Sequence, residues 1–310
     1  MSGETIERDG IDRRGFLRCM SWAGTAVVWT VAGGVPRSGL VSDARAATSG
    51  LVFAQISDSH IGFNKPANPD VTGTLQEAIR RVGAAQEKPR FMIHTGDVTH
   101  LSKPGEFDTA AQLIGGANLT THYVPGEHDV LEDDGKSFLN RYGKGTKGAG
   151  WYSFDEGGVH FVGLVNVVDL KGGGMGNLGH EQLEWLEEDL KGRSASTPIV
   201  VFAHIPLWVV YADWGWGTQD GAQALTYLKR FGSVTVLNGH IHQIMQKVEG
   251  HVAFHTALST AFPQPAPGTA SSPGPKTVAP GELRSLLGTS QVSLVQGEQP
   301  LAIVDRPLAG

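Results

Sequence analysis

From residue 51 onward, short apolar runs alternate with stretches whose apolar residues recur every three or four positions. LVFAQIS, RFMIHTG and THYVPG have the length and polar borders of buried strands, and TLQEAIRRVGAAQ and EFDTAAQLIGG between them carry the helical period. The alternation continues through WYSFD and VHFVGLVNVV, the helix HEQLEWLEEDLKG, the strand PIVVFAH and a helix around AQALTYLKRFG. The strands SVTVLNG, IMQKVEG and HVAFHTAL follow. Strands interleaved with helices in this way predict an α/β sandwich rather than an all-α or all-β fold. Residues 263–281, PQPAPGTASSPGPKTVAPG, are dense in Pro, Gly, Ser and Ala and predict an irregular extension, after which PLAIVD, about residues 300–305, returns as a last strand.

The first 46 residues break the pattern. Arg13 and Arg14 precede GFLR and the mildly apolar run SWAGTAVVWTVAGG, and the small-residue site Ala44-Arg45-Ala46 closes the segment. This resembles a twin-arginine export signal. The resemblance implies recognition by the twin-arginine translocation machinery, cleavage after Ala46, a mature domain over 47–310 with its core at about 51–262, and a periplasmic or secreted destination. The apolar run, about 14 residues, is short of the roughly 20 that span a bilayer, so no stable membrane span is expected in the mature chain.

The 310 residues are 40% hydrophobic and 18% charged, enough for a sizeable core in one large domain or two small ones. Removing the six arginines and five acidic residues of positions 1–46 leaves 19 basic against 26 acidic residues, a net charge of −7, which implies no nucleic-acid surface. Cys19 is the single cysteine and lies in the export segment, so the mature chain has neither thiolate metal ligands nor a cysteine nucleophile.

Polar residues follow the apolar runs with regularity: ISDSH at 56–60, HTGDVTH at 94–100, PGEHD at 125–129, FAHIP at 202–206 and NGHIH at 238–242. The carboxyl ends of strands in open α/β sheets face the ligand crevice, so these clusters can converge. Asp58, His60, Asp97, His128, His204, His240 and His242 supply the carboxylates and imidazoles suited to Zn, Mn or Fe. One ion takes about four to six ligands; this larger set, with an aspartate able to bridge, points to two ions about 3.5 to 4 Å apart, the arrangement that clamps a phosphoryl group. A turn after Gly239 would let His240 and His242 serve different ions.

The ordered blocks Asp58-Ser59-His60, Gly96-Asp97, Gly126-Glu127-His128-Asp129, His204 and Gly239-His240-Ile241-His242 resemble the calcineurin-like metallophosphoesterase superfamily over roughly residues 51–262. The overall look is similar to its cyclic-nucleotide phosphodiesterase-like branch. The resemblance implies a four-layer α/β/β/α sandwich with two mixed sheets. It gives Asp58, His60 and His242 to one divalent or mixed-valence ion and His204 and His240 to the second, with Asp97 as the bridge and His128 as proton donor or transition-state stabiliser. Glu127 departs from the pattern, standing where the family has an asparagine whose amide oxygen binds the second ion, and is expected to ligate in its place.

The implied chemistry is metal-dependent hydrolysis of a small-molecule phosphoester by in-line attack of activated water, as phosphodiesterase or phosphatase. The alternative is a metal-binding module that keeps the fold without turnover. His100 is a candidate to orient Asp97, and Asp129 is expected to support its loop. His94, His122, His160, His180, His251 and His255 are expected to pack or face solvent. The Gly-rich stretches at 143–150 and 171–177 lack nucleotide-loop spacing and are expected to be surface turns. The run WVVYADWGWG, 208–217, puts Trp208, Tyr211, Trp214 and Trp216 beside the candidate centre, either to stack a substrate group or to pin the loop.

Overall fold

The computed structural model of the protein describes residues 27–32, 35–40, 50–168, 170, 174–294 and 301–309. Strands β1 (Val27–Ala32) and β2 (Val35–Leu40) form an antiparallel hairpin. Then follow β3 (Val52–Ile56), α1 (Val71–Gly83), β4 (Met92–His94), α2 (Pro104–Gly115), β5 (Thr121–Tyr123) and α3 (Lys136–Tyr142). The second half holds β6 (Tyr152–Glu156), β7 (Val159–Gly163), α4 (His180–Leu190), β8 (Ile199–Phe202), α5 (Gly221–Leu228), β9 (Val234–Asn238), β10 (Gln246–Glu249) and β11 (Val252–Thr256). The chain closes with β12 (Gly288–Leu294) and β13 (Leu301–Pro307).

One sheet has the order β2-β1-β13-β12-β3-β4-β5 and the other β10-β11-β9-β8-β7-β6. Both are mixed. In the first, β3, β4 and β5 are parallel while β12 runs antiparallel to β3. In the second, β11, β9, β8 and β7 are parallel, flanked by antiparallel β10 and β6.

Alternation along each strand divides its side chains between two cores. In β8, Ile199 and Val201 join α4 and α5, while Val200 and Phe202 face the other sheet. In β3, Ala54 and Ile56 join α1 and α2, and Phe53 faces inward. The inward layer is ring-rich: Phe53 stacks on Phe91 at 5.1 Å between centroids and meets Phe161 edge-on at 5.3 Å. Both Phe53 and Phe161 are fully buried, and truncating either to alanine would cost about 3–5 kcal/mol.

On the outside, α1 buries Val71, Leu75, Ala78, Ile79 and Val82, the stripe of a 3.6-residue period, and Asp70 caps it by accepting a hydrogen bond from Gly73 N (2.8 Å). Helix α4 buries Leu183, Leu186 and Leu190 against the second sheet. The result is the four-layer α/β/β/α sandwich expected from the sequence.

Three features go beyond the sequence pattern. Strand β12 and the short helix α3 were not apparent from periodicity, and the N-terminal apolar run supplies β1, which with β2 forms a hairpin beside the last strand, with Trp29 opposite Ile303. Arg13, Arg14 and the Ala44–Ala46 site lie outside the described residues. Residues 263–281 contain no helix or strand. No helix among the described residues is long and apolar enough to cross a membrane.

Candidate metal centre

Because β3, β4 and β5 are parallel, the loops leaving them emerge on one edge, carrying Asp58 and His60, Asp97, and Glu127 with His128 respectively. The parallel strands β8 and β9 deliver His204 and then His240 and His242 to the same place from the facing sheet. Buried amides lock the two edges together. Gln55 Nε2 donates to Thr95 Oγ1 (3.1 Å) and to the Asn238 carbonyl (3.3 Å), and Asn238 Nδ2 donates to the carbonyls of Ala203 (2.9 Å) and Ile205 (3.1 Å).

The backbone here is held in a conformation few side chains adopt. Among the described residues, eight non-glycine residues have left-handed φ, and five of them are Asp58, His60, Asp97, His240 and His242. Each such residue costs of order 1–3 kcal/mol unless its surroundings over-determine it, and such strain concentrates at functional sites. Gly96 has φ +95°, and a Cβ there would lie 2.5 Å from His204 Nδ1. At Gly239 a Cβ would lie 2.0 Å from Ser57 Oγ. Two glycines of the recognised blocks are thus required by space.

Two ligand-like groups result. In the first, His242 Nε2 lies 3.3 Å from both His60 Nε2 and Asp58 Oδ1. In the second, Glu127 Oε2 lies 2.8 Å from His204 Nε2, and Glu127 Oε1 lies 2.9 Å from His240 Nδ1. Asp97 stands between them, with Oδ2 3.4 Å from His60 Nε2 and 3.5 Å from His204 Nε2. The donor atoms of Asp58, His60 and His242, and those of Glu127, His204 and His240, each fall within 4.8 Å of one another.

Neighbouring groups fix which atom faces inward. His204 Nδ1 donates to the Thr95 carbonyl (2.7 Å) and His242 Nδ1 to the Phe262 carbonyl (2.5 Å), leaving Nε2 of each ring directed into the cluster. Backbone amides hold the aspartates: His240 N donates to Asp58 (3.0 Å to Oδ1) and His128 N to Asp97 Oδ1 (2.9 Å). Asp97 Oδ2 is left for the cluster.

Glu127 Oε2, His204 Nε2 and His240 Nδ1 are buried without an aligned hydrogen bond, although they lie close to one another. Orphaned buried donors and acceptors of this kind are rare, and lone pairs aimed at a shared point are what a cation needs. The electrostatics favour positive charge here: burial opposes charge on His204, but Asp97 and Glu127 outweigh it and raise its pKa well above the usual range, so a metal ion would displace a proton from this ring. Burial likewise opposes the Asp58 carboxylate, yet His242 and His204 pull its pKa down to about 2. His60 is held neutral, chiefly by burial and then by His128 and His242. Asp58 and Glu127 stay ionised and His60 keeps a free lone pair, so the residues fit a cation of the Zn, Mn or Fe type.

His128 sits against this cluster. Its Nδ1 donates to the His100 carbonyl (2.7 Å), and its ring stacks on His100 at 4.9 Å and meets His60 edge-on at 4.7 Å. Burial lowers its pKa, but Asp97 and Glu127 outweigh that, and the net shift is upward. His100 does not contact Asp97 as expected; its Nδ1 lies 3.4 Å from His60 Nδ1.

Asp129 is buried and accepts hydrogen bonds from Gly126 N (3.0 Å), Val98 N (3.0 Å), Thr99 N (2.8 Å) and Thr99 Oγ1 (2.8 Å), tying the Glu127–Asp129 turn to the Asp97 loop. Sequence reasoning did not single out Phe262, which stacks on His60 at 4.7 Å, or His94, which shares a 2.8 Å hydrogen bond with Ser59 Oγ. Only the position of Phe262 at the end of the recognised blocks hinted at its role. Of the aromatic run, Trp216 is buried, Trp208 packs on Phe254 at 5.0 Å, and Trp214 lines an open cleft beside Glu127 and His240.

An α/β/β/α sandwich with imidazoles and carboxylates converging at its strand ends is the framework of a metal-dependent hydrolase. Residues 51–244 match the calcineurin-like phosphoesterase family, to which the chain belongs, and it is a metal-dependent phosphoester hydrolase. Among curated relatives, a probable glycerophosphodiester phosphodiesterase GpdQ of Arcobacter nitrofigilis is 24% identical over 228 residues, 67% of this chain and 78% of that protein. A 3',5'-cyclic-nucleotide phosphodiesterase of Nostoc sp. is 24% identical over 222 residues, covering 68% and 79% respectively. The solved structure of a dimetal phosphatase from Danio rerio superposes with a TM-score of 0.64 at 14% identity, covering 84% of this chain and 96% of that one. That likeness supports the fold.

Proposed function

We propose that the protein is an exported phosphodiesterase with a dinuclear metal centre. Asp58, His60 and His242 would hold one ion and Glu127, His204 and His240 the other, with Asp97 within reach of both groups. The observation that carries this is the placement of Asp97 Oδ2, with its other oxygen tied to the backbone, 3.4 Å from His60 Nε2 and 3.5 Å from His204 Nε2. Bound there, such ions supply Lewis-acid charge to the phosphoryl group and acidify the attacking water.

The chain's own groups do the rest. The carbonyls of Thr95 and Phe262 fix the tautomers of His204 and His242, and the amides of His240 and His128 orient the two aspartates. His128, with Nδ1 committed to the His100 carbonyl, titrates at Nε2 and protonates the departing oxygen from there. The diesterase reading is supported by two relatives, one a probable glycerophosphodiester phosphodiesterase and one a cyclic-nucleotide phosphodiesterase.

Export is supported by the Arg13-Arg14 pair, the apolar run and the small-residue site ending at Ala46. Cleavage there would remove β1 and β2 and leave β13 as the edge of the first sheet. Replacing Arg13 and Arg14 by Lys should leave uncleaved precursor in the cytoplasm, and unchanged processing would refute the twin-arginine route. The activity is tested with bis(4-nitrophenyl) phosphate: turnover should vanish with chelator and return with Mn. A folded, metal-replete protein that cleaves no phosphodiester would overturn the assignment.

A further inference from the structure

Beside the second ligand group, Glu127 and His240 line an open cleft of about 390 Å³ together with residues that follow β5, β7 and β8. Most of its remaining lining is apolar. Val130, Val168 and Leu170 pack against the buried pair Val167 and Ile205, and Trp214, packed with Trp216 and Ile241, also lines it. Among the described lining residues there is no lysine or arginine, whereas Glu127 and Asp134 are acidic.

The same edge carries further apolar surface. Of the six large apolar side chains most exposed among the described residues, Leu101, Leu131, Val209 and Ile244 lie on the loops that leave β4, β5, β8 and β9, the same loops that carry the candidate ligands. Leu131, 58% exposed, also lines the cleft. Large apolar groups exposed along one edge mark a binding surface. Because Glu127 and His240 line the cleft, whatever fills it lies beside the second ligand group.

Resting on the phosphodiesterase reading, we propose that the substrate is a singly charged phosphodiester carrying an apolar alkyl, acyl or aryl substituent, which lies in the cleft between Leu131, Val168 and Trp214. The acidic groups select the same class. Glu127 adds a negative charge where the family pattern has a neutral amide, and Asp134 lies at the cleft, so a monoanionic diester meets less repulsion than a dianionic monoester or a polyphosphate.

The test uses metal-loaded protein and a series of alkyl 4-nitrophenyl phosphates with methyl, butyl and hexyl chains. A fully buried methylene gives roughly a fourfold gain, and half-burial in an open cleft about twofold, so kcat/KM should rise about thirtyfold from methyl to hexyl. Leu131→Ser and Val168→Ser should each cut the hexyl-to-methyl ratio by about threefold or more. Val248→Ser, an exposed apolar position on β10, should leave that ratio unchanged. Hydrolysis with a flat chain dependence, or a dependence insensitive to both Leu131→Ser and Val168→Ser, overturns this inference and leaves the phosphodiesterase reading standing. Failure to cleave any member overturns both.

Discussion

Glu127 stands where the sequence resemblance implies a neutral asparagine, and changing it separates charge from reach. Its two oxygens lie 2.8 Å from His204 Nε2 and 2.9 Å from His240 Nδ1, so a cation among these groups would contact the carboxylate directly. A unit negative charge about 2 Å from a divalent ion contributes roughly 17 kcal/mol at an effective dielectric of about 20. Most of that is offset by dehydrating the carboxylate and, in Glu127→Gln, by the amide oxygen that replaces it. If about an eighth survives, about 2 kcal/mol is lost, a roughly thirtyfold larger dissociation constant for one metal equivalent. Glu127→Asn removes the charge and also about 1.5 Å of reach, so its loss should equal or exceed that of the glutamine variant. Calorimetric titration of metal-free wild type and both variants with Zn and Mn reads this directly. One equivalent should weaken while the other, held by Asp58, His60 and His242, moves little. Isotherms that coincide for all three proteins would refute direct contact between Glu127 and an ion.

His128→Ala should lower kcat on an aryl phosphodiester by about 100-fold with both metal equivalents retained; loss of an equivalent would show that His128 is a ligand instead. In metal-free protein, Asp129 ionises at about 6, because burial and then the charge of Asp97 oppose its carboxylate, against 3.8 when unfolded. Its contribution, of order 3 kcal/mol, is therefore full below pH 3.8 and lost as pH rises through about 6. Asp58 and Glu127, whose pKa values are lowered against burial by neighbouring histidines, act in the opposite sense, stabilising above the ordinary carboxylate range and losing that effect as pH falls. Relative to wild type, the melting temperature of Asp129→Asn should gain as pH rises from 4 to 7, because the variant lacks the declining Asp129 contribution, and identical pH slopes for the two proteins would refute the assignment.

The elements and the chemical inventory were legible in the residues alone. The 3.6-residue stripe from Val71 to Val82 and the alternation in β8 are local consequences of which residues face water, and the polar blocks that follow the strands could be found without knowing which strands pair. The family resemblance then ordered those blocks into two ligand sets, with Glu127 flagged as the exception. The remaining features depend on long-range pairing. Strand β12, whose segment carries Gln291 and several small polar residues, is a strand because it lies between β3 and β13. His94, Gln55 and Asn238 sit in strands and look like interruptions of an apolar run. They are buried because each finds a partner on another strand or loop, and sequence spacing encodes no such partner. The contact of Glu127 with both His204 and His240 likewise joins three loops from two sheets. It exists only because both sheets present their parallel strand ends on one edge, and because left-handed backbone at Asp97 and His240 turns those side chains toward it.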